Sequence, residues 1–399
     1  MKLLSEQFKI IKKFIRCRCG ADRCRCYAGQ GDAEFARQAV EAITPAAEQG
    51  NVQAQFLLGL YYWGYHGDCG NLKAIYWFEK AADNGNAEAA RYIMEIYRSY
   101  TAEPPAWMDA EQQDALILKW HWRWFDMLAA KADKGSANAA KELMCQYIED
   151  CPEDTNPEDG IKITRKWYDR WIEIMTAKAK RGDSMDKWNL ADVLQYGDNV
   201  PEELLDYFSD EDDKWNLMQA IALYKEIIAD NGFLMKDMAY FRMGCAYNDL
   251  GLWEKALACF KKAAKLNWHE AYAKIGDAYR YGNGVEPDDE AARKWYRKGA
   301  DVGEITAMLN LAECYKDGIG GKQDYEKAMD EYLYLAERLE GRGWKHQASG
   351  IGTALYEIGN MYLNGHGVQP DLKKAIRYFT LAVKKCNNGL AEDKLNELL

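Results

Sequence analysis

The sequence predicts an all-α protein built as an array of stacked helical hairpins, and three observations support this prediction. Proline is scarce, with 8 among 399 residues, while alanine, tyrosine, tryptophan, lysine and glutamate are common, and this composition favours helix over strand. A single globular core stops growing at roughly 250–300 residues, so this chain forms several domains or an elongated array. A glycine-rich string also recurs within the chain, which favours the array.

The recurring string is GNGVEPD at residues 282–288 and GHGVQPD at residues 365–371. The flanking stretches, 271–296 and 354–379, align without a gap. A phosphate-binding loop is normally used once per domain, between a strand and a helix. Neither copy follows a strand pattern, so the glycines are predicted to form corners between helices.

Each corner joins two apolar stripes at helical spacing. Gly282 and Gly284 permit positive φ where the first helix ends, and Pro287 with Asp288 begins the second helix. Such a hairpin cannot bury both faces alone, so neighbouring hairpins must stack on it. The stripes consist of Ala271, Ile275, Ala278 and Tyr279 before the corner and Ala291, Ala292, Trp295 and Tyr296 after it.

Further copies of the first helix share an alanine, an apolar residue, a small residue and a tyrosine at fixed spacing. We predict a basic, cysteine-rich segment at 1–32, degenerate repeats with long insertions at 33–238, and regular repeats with a C-terminal capping helix at 239–399. The copies span 54–62, 89–97, 139–147, 239–247, 271–279, 307–315 and 354–362, with a degenerate copy at Asp186 and a capping fragment from Ala391.

The hairpin with its glycine corner resembles the Sel-one-like repeat (SLR), a branch of the tetratricopeptide (TPR) superfamily, from about residue 33 to the C-terminus. The resemblance implies a right-handed α-solenoid superhelix that acts as a non-catalytic protein-interaction scaffold or adaptor. The unit that begins at Ala239 is closer to an ordinary TPR, because it carries Met243, Gly244, Tyr247, Ala256, Phe260 and Ala263 at the expected offsets.

The same resemblance places the first helix of each pair on a concave face, with partner contacts at the positions between its buried residues. These positions form a mixed-charge groove that suits a protein or peptide segment, and Trp63 is an additional exposed candidate. The candidate residues are Arg91, Glu95, Arg98, Arg242, Cys245, Asn248, Lys274, Asp277, Arg280, Asn310, Glu313 and Lys316.

Two kinds of interruption break the repeat pattern. In the insertion at 101–135, four aromatic residues point in different directions on a helix: Trp120, Trp122, Trp124 and Phe125. They either wedge between adjacent helices, or one or more of them is exposed and anchors a partner, for which Trp122 is the candidate. The acidic stretches 151–160 and 196–215 lack calcium-loop order, and form solvated corners or steer a basic partner.

Charge and hydropathy exclude several classes of protein. The net charge is −11 and the pI is near 5.2, so no nucleic-acid partner is expected. No apolar run approaches the ~20 residues that span a bilayer, and residues 1–20 make a poor secretory signal. We therefore expect a cytoplasmic protein, and the 11 cysteines, odd in number and without a repeated spacing, are expected to be reduced thiols.

The N-terminal segment differs from the rest of the chain. Residues 1–26 hold eight basic residues against two acidic ones, a net charge of +6 that leaves −17 on the remainder. Zinc binding, contact with a membrane or partner, and capping of the first repeat all remain open for this segment. Leu4, Phe8, Ile11 and Ile15 share a helical face, and the candidate zinc ligands are Cys17, Cys19, Cys24 and Cys26.

No catalytic motif occurs in the sequence. The five histidines belong to no metalloprotease signature, and no nucleophile elbow, Walker or dinucleotide signature is present. We therefore predict that the protein is not an enzyme. Two alternative functions are an immunity- or inhibitor-like protein that wraps a toxin or enzyme, and a metal- or membrane-associated signalling component that uses the N-terminal cysteines.

Overall fold

The computed structural model describes residues 30–65, 67–99, 108–149, 157–197, 200–205, 208–337 and 348–399, and their regular secondary structure is entirely helical. The predicted all-α class is therefore confirmed, with no strand among these residues. In chain order the helices are α1 (Gln30–Glu48), α2 (Val52–Tyr65), α3 (Gly67–Asp83), α4 (Ala87–Ser99), α5 (Ala110–Asp133), α6 (Ala137–Glu149), α7 (Pro157–Arg181), α8 (Ser184–Tyr196), α9 (Glu202–Leu205), α10 (Asp210–Ala229), α11 (Lys236–Asp249), α12 (Trp253–Lys265), α13 (Glu270–Tyr281), α14 (Asp289–Asp301), α15 (Ile305–Asp317), α16 (Tyr325–Glu337), α17 (Ala348–Asn364), α18 (Leu372–Cys386) and α19 (Gly389–Leu398).

The helices belong to two compact units. Unit 1 comprises residues 1–175 and 200–206, and unit 2 comprises residues 176–199 and 207–399, so the division falls inside α7. The sequence-based boundaries at 32/33 and 238/239 concern how regular the repeats are, and they stay predictions.

In unit 1, α1 to α6 pack consecutively, each on the next. A core cluster at its N-terminal end includes Ile43, Leu57, Leu58 and Trp77. The long insertion helix α5 begins with a capping box, in which the Asp109 side chain accepts from the backbone N–H of Gln112 at 2.8 Å. Unit 1 therefore already has the architecture of stacked hairpins.

The tryptophans of α5 divide between the two interpretations offered by the sequence. Trp120 and Trp124 are buried, whereas Trp122 is 38% exposed. The wedge interpretation is correct for the first two residues, and only Trp122 remains available as a surface anchor.

In unit 2, hairpins pack side by side: α8 with α10, α11 with α12, α13 with α14, α15 with α16, and α17 with α18, which α19 covers. Within four hairpins of the chain, a glycine of the first helix faces an aromatic ring of the second, so closely that a Cβ atom would overlap the ring. Small residues therefore set how near the two helices approach. The pairs are Gly59–Phe78 in unit 1 and Gly244–Phe260, Gly276–Tyr296 and Gly359–Phe379 in unit 2.

The three glycine corners of unit 2 have the same backbone structure. In each, a backbone N–H donates across the corner to a tyrosine carbonyl at 2.8 Å: Asp288 to Tyr279, Asp324 to Tyr315, and Asp371 to Tyr362. The aspartate side chain then accepts from the first turn of the following helix. Both glycines of each corner have positive φ, between 65° and 76°, as the sequence predicts.

The second glycine of each corner also contacts the preceding hairpin. Gly284 lies against the backbone of Trp253 and Glu254, where α12 begins, and Gly320 and Gly367 contact the starts of α14 and α16 in the same way. A side chain would not fit between these backbones. The corner therefore connects two helices and also fixes the contact between successive repeats.

Candidate functional site

Three first helices of unit 2, α13, α15 and α17, line its inner side. α13 contacts α15 and α15 contacts α17 directly, whereas the second helices of these hairpins make at most marginal contact with one another. Successive first helices are thus closer together than second helices, which is the arrangement of a concave face.

Five of the sequence-predicted positions contact one another or Glu357, which the sequence interpretation missed, along this inner side. Arg280 forms an ion pair with Glu313 at 2.8 Å, and Lys316 forms one with Glu357 at 3.1 Å. Asn310 Nδ2 donates to Asp277 Oδ1 at 3.1 Å. We call these six residues the polar ladder, and each contact joins one hairpin to the next.

Asp277 holds the ladder to the core. The hydroxyl of Tyr296, which is fully buried, donates to Asp277 Oδ1 at 2.8 Å. Burial raises the pKa of the Asp277 carboxyl, and the hydrogen bond from Tyr296 and the charge of Lys274 partly oppose that shift. The Asp277 carboxylate therefore already accepts hydrogen bonds from Tyr296 and Asn310 within the protein, and these bonds restrict the motion of the ladder side chains.

Arg280 makes the shorter of the two ion pairs of the ladder. Its hydrogen bond to Glu313 raises the pKa of the guanidinium, against the opposing effect of burial. The guanidinium also lies 5.3 Å from the ring centroid of Tyr281. Arg280 thus links the ionic contact to an aromatic surface.

A related polar cluster joins α8 to α11. The Arg242 guanidinium lies 4.3 Å from the centroid of the Tyr196 ring, and Gln195 Nε2 donates to the Arg242 carbonyl at 3.0 Å. Tyr224 donates its hydroxyl to Gln195 at 2.9 Å. Burial raises the pKa of Tyr196 to about 12 and that of the Cys245 thiol to about 11, so both groups are protonated at neutral pH.

Some predicted positions remain accessible. Lys274 is exposed and, within the described ranges, has no carboxylate within 4.0 Å of its ammonium group. It lines a cavity of about 200 Å³ with Asn248, Trp253 and Tyr281. The sequence interpretation missed Trp253 and Tyr281. The sequence did contain a signal for Tyr281. It is an aromatic residue at a repeat position where later repeats have the polar residues Asp317 and Asn364.

The candidates of unit 1 are arranged differently. Arg91 lies 3.8 Å from Glu88 and 3.9 Å from Glu95, so these side chains interact along α4 rather than between hairpins. Arg98 is exposed at the end of the same helix. Trp63 is partly buried and its ring centroid lies 5.0 Å from that of Tyr92, so Trp63 offers less free surface than its sequence position suggested. Trp122 lies on α5, which is a second helix.

The N-terminal cysteine prediction, Cys17 to Cys26, lies outside the described residues. Among the residues that are described, no three or more His, Cys, Asp or Glu side chains come together as a metal site. Zinc binding by the N-terminal cysteines stays a prediction. No helix in the described ranges combines the length and apolar character needed to cross a bilayer.

The Sel1 repeat family model matches five stretches of the chain: 52–86, 254–268, 269–304, 305–330 and 352–385. This chain contains Sel1 repeats. The predicted resemblance is confirmed, and the matched stretches include the three glycine corners of unit 2 and all six residues of the polar ladder. The hairpin from α4 to α5 and that from α8 to α10 lie outside the matched stretches, although they fold in the same helical manner.

Curated relatives resemble only part of this chain. It is 23% identical over 164 residues to an exopolysaccharide production negative regulator of Rhizobium meliloti, a match that covers 38% of this chain and 58% of that protein. It is 31% identical over 108 residues to an uncharacterized Sel1-like repeat-containing protein of Schizosaccharomyces pombe, covering 26% and 15% of the two chains. The chain thus spans little more than half of the first relative.

Solved structures of Sel1-like repeat proteins are similar over most of the chain. A Sel1 repeat protein from Oxalobacter formigenes matches with a TM-score of 0.49 and 20% identity, covering 91% of this chain and 90% of that one. A protective antigen of uropathogenic Escherichia coli that displays an SLR fold matches with a TM-score of 0.38 and 21% identity, covering 90% and 82%.

Proposed function

We propose that this protein is a non-catalytic scaffold or adaptor that binds a segment of a partner protein along the inner side of unit 2. The observation that supports this most is the polar ladder, which continues across three hairpins on the face that is innermost. Its internal ion pairs and hydrogen bonds hold the side chains in place before a partner arrives, which lowers the entropy lost on binding.

The edge of the ladder supplies the groups that a partner would contact. Lys274 offers a charged donor, Asn248 an amide, and the rings of Trp253 and Tyr281 an apolar surface beside a cavity of about 200 Å³. Aromatic residues beside polar groups are typical of binding hot spots. A protein segment, which carries both backbone amides and side chains, matches this mixture better than a phosphate backbone does.

Thiol chemistry is also consistent with a non-catalytic role. Burial raises the pKa of Cys245, Cys259 and Cys314 to about 11, so these thiols are protonated and poorly nucleophilic at neutral pH. The proposal places the protein in the cytoplasm, where such thiols stay reduced. The Rhizobium meliloti relative is named as a negative regulator, a role that a binding protein performs through its partner.

A second mode of binding is favoured by one observation. Trp122 is 38% exposed on the insertion helix α5, which suits an inhibitor-like protein that contacts its target through the insertion. The two modes make different predictions about which substitutions abolish binding, because the polar ladder and Trp122 lie in different units.

The test is affinity capture from the native host with the full chain and three sets of substitutions. Lys274→Ala combined with Tyr281→Ala removes exposed groups beside the ladder, and Lys294→Ala removes an exposed lysine from the second helix α14. We expect the first set to lose a partner that Lys294→Ala and Trp122→Ala both retain. A partner retained by the Lys274/Tyr281 variant and lost with Trp122→Ala would refute the ladder and support the insertion.

A further inference from the structure

Two successive second helices of unit 2 carry opposite charges at the same repeat positions. α16 and α18 each follow a corner aspartate, Asp324 or Asp371, whose side chain accepts from the first turn of the helix. Counted from that aspartate, the same three positions are acidic in α16 and basic in α18, and all six side chains are exposed. The acidic row is Glu326, Asp330 and Glu337, and the basic row is Lys373, Arg377 and Lys384.

Each row lies on one side of its helix, away from the core. At 3.6 residues per turn, side chains four and eleven positions after the first lie within about 40° of it, and such a row extends about 16 Å along the helix. Other sides of the two helices are buried, through Ala328, Met329, Tyr332 and Leu335 in α16 and Ala375, Phe379 and Ala382 in α18.

The two rows run side by side. Gly367, in the corner before α18, contacts the backbone of Tyr325 at the start of α16. In the same corner, the rings of His366 and Tyr325 stack with their centroids 4.6 Å apart. α16 and α18 also both pack on α17. The two second helices therefore begin at the same edge of unit 2 and present their rows in the same direction on its outer surface.

The rows do not neutralise each other within one copy. In the part of the chain that the structure describes, none of the six charged groups has an opposite charge within 4.0 Å. The preceding second helix, α14, differs, because the equivalent positions hold Glu290, Lys294 and Asp301, and Glu290 pairs with Lys294 at 2.6 Å. A row of one sign without ion pairs is thus specific to α16 and α18 rather than a general property of the repeat.

We propose that the outer surfaces of α16 and α18 bind a second copy of this chain around a twofold axis that runs between the two helices, parallel to them. Such an axis places the acidic row of each copy opposite the basic row of the other. Because the two rows have the same spacing, all three charges of each row are matched at once. Tyr334, which is 56% exposed, and the half-buried Leu381 also occupy equivalent positions, and would add an apolar contact beside the charges.

The pairing of opposite rows selects a second copy over other partners. A nucleic acid or an anionic membrane attracted to the basic row would meet the acidic row beside it, and a basic partner would meet the reverse. A partner that matches both rows needs both signs of charge at the same spacing, which is the pattern of this surface itself. The proposal does not rest on the binding function of the polar ladder, which lies on the inner side and stays open in such a dimer.

The expected dimer is weak and sensitive to salt. Two adjacent helices, each about 20 Å long and about 10 Å wide, present about 400 Å² per copy, so a dimer would bury about 800 Å² in total. Interfaces below about 1,200 Å² are typical of transient complexes. Salt shortens the range of charge interactions from about 10 Å at 0.1 M to about 3 Å at 1 M, so raising the salt concentration should dissociate the dimer.

The test is sedimentation equilibrium of the full chain in reducing buffer, at protein concentrations up to about 0.5 mM. We expect a monomer–dimer equilibrium at about 0.1 M salt whose dissociation constant rises at least about tenfold at about 1 M salt. Arg377→Glu combined with Lys384→Glu should raise it at least about tenfold at the lower salt, because each substitution acts at two equivalent places. The matched control is Lys255→Glu combined with Lys265→Glu, which makes the same change of charge at exposed positions of α12 and should leave the dissociation constant unchanged.

A reciprocal exchange tests whether the two rows face each other. Asp330→Arg combined with Glu337→Lys should weaken the dimer as the α18 variant does. A chain that carries all four substitutions again has one acidic and one basic row, so it should dimerise with a dissociation constant near that of the wild type. Circular dichroism establishes that each variant retains its helices.

Three outcomes overturn the proposal. A chain that stays monomeric at about 0.1 M salt over the whole concentration range would have no such interface. A dimer that the Arg377/Lys384 variant forms as tightly as the wild type would use another surface. A folded chain with all four substitutions that stays monomeric would show that the acidic and basic rows are not opposite each other.

Discussion

The contact between each glycine corner and the preceding hairpin gives a quantitative prediction for Gly284→Ala. Gly284 has a φ of +76°, and a Cβ atom there would lie 2.5 Å from the backbone nitrogen of Glu254 and closer still to the carbonyl carbon of Trp253. Backbone atoms cannot rotate away as a flexible side chain can. The alanine must therefore push the corner away from the start of α12.

Two contributions determine the expected loss of stability. Holding an L-residue in the left-handed region costs about 1–2 kcal/mol, and forcing extra volume into a packed contact costs about 1–3 kcal/mol more. Gly251→Ala isolates the first contribution, because Gly251 has a φ of +69° in the same unit and its nearest neighbour would lie 4.0 Å from the new Cβ. We expect Gly284→Ala to destabilise by about 2–5 kcal/mol and Gly251→Ala by about 1–2 kcal/mol.

The assay is urea unfolding of the full chain, followed by circular dichroism at 222 nm, with the free energy of unfolding obtained by linear extrapolation. Gly320→Ala, where the new Cβ would overlap the backbone of Asp289, should behave like Gly284→Ala. If Gly284→Ala and Gly251→Ala lower the free energy of unfolding equally, the corner does not determine the contact between repeats and the reasoning is wrong.

Three further predictions concern the polar ladder. Tyr296→Phe removes a buried hydrogen bond to a carboxylate and should lower the free energy of unfolding by about 1.5–3 kcal/mol in the same urea assay. Asp277→Asn should change the pH dependence of stability. The pKa of Asp277 is higher in the folded state than in the unfolded state, so the folded state binds this proton more tightly. The free energy of unfolding of the wild type therefore decreases as pH rises from about 4, the pKa of an unfolded aspartate, through the raised pKa of the folded state. The stability of the wild type relative to Asp277→Asn should therefore fall between pH 4 and pH 7. A double-mutant cycle with Arg280→Gln and Glu313→Gln should give a coupling free energy of about 1 kcal/mol.

Each ladder prediction has a matched control. Tyr332→Phe removes a hydroxyl with no hydrogen-bond partner among the described residues, so it should cost clearly less than Tyr296→Phe. A cycle on the exposed pair Lys294–Glu290 should give a clearly smaller coupling free energy than the Arg280–Glu313 cycle, because solvent screens the exposed charges. Equal coupling in the two cycles, or a pH-independent difference for Asp277→Asn, would show that partial burial adds nothing to the ladder.

The repeated glycine string predicted the structure of the corners as well as the helices that they join. The spacing of Gly282, Gly284, Pro287 and Asp288 predicted the left-handed corner and the aspartate that caps the next helix, and both recur with different intervening residues at 318–324. These features are local, because they depend on backbone conformation and on hydrogen bonds spanning a few residues. Local rules can be read from one stretch of sequence.

The candidate site was predictable only in part. Register placed Asp277, Arg280 and Glu313 on one side of their helices, but it did not show that Arg280 and Glu313 pair with each other. That pairing depends on the offset between stacked hairpins, which the corner contacts set over distances of tens of residues. The same offset determined that Trp253 and Tyr281 border one cavity.

The sequence by itself determined the all-α class, the hairpin unit, the corners and the helical side that each predicted residue occupies, because these follow from periodicity and from the conformational limits of glycine and proline. Only the tertiary structure decided which of those residues are already bonded to one another and which remain accessible. Those properties arise from the distance and offset between elements far apart in the chain, which no local pattern encodes.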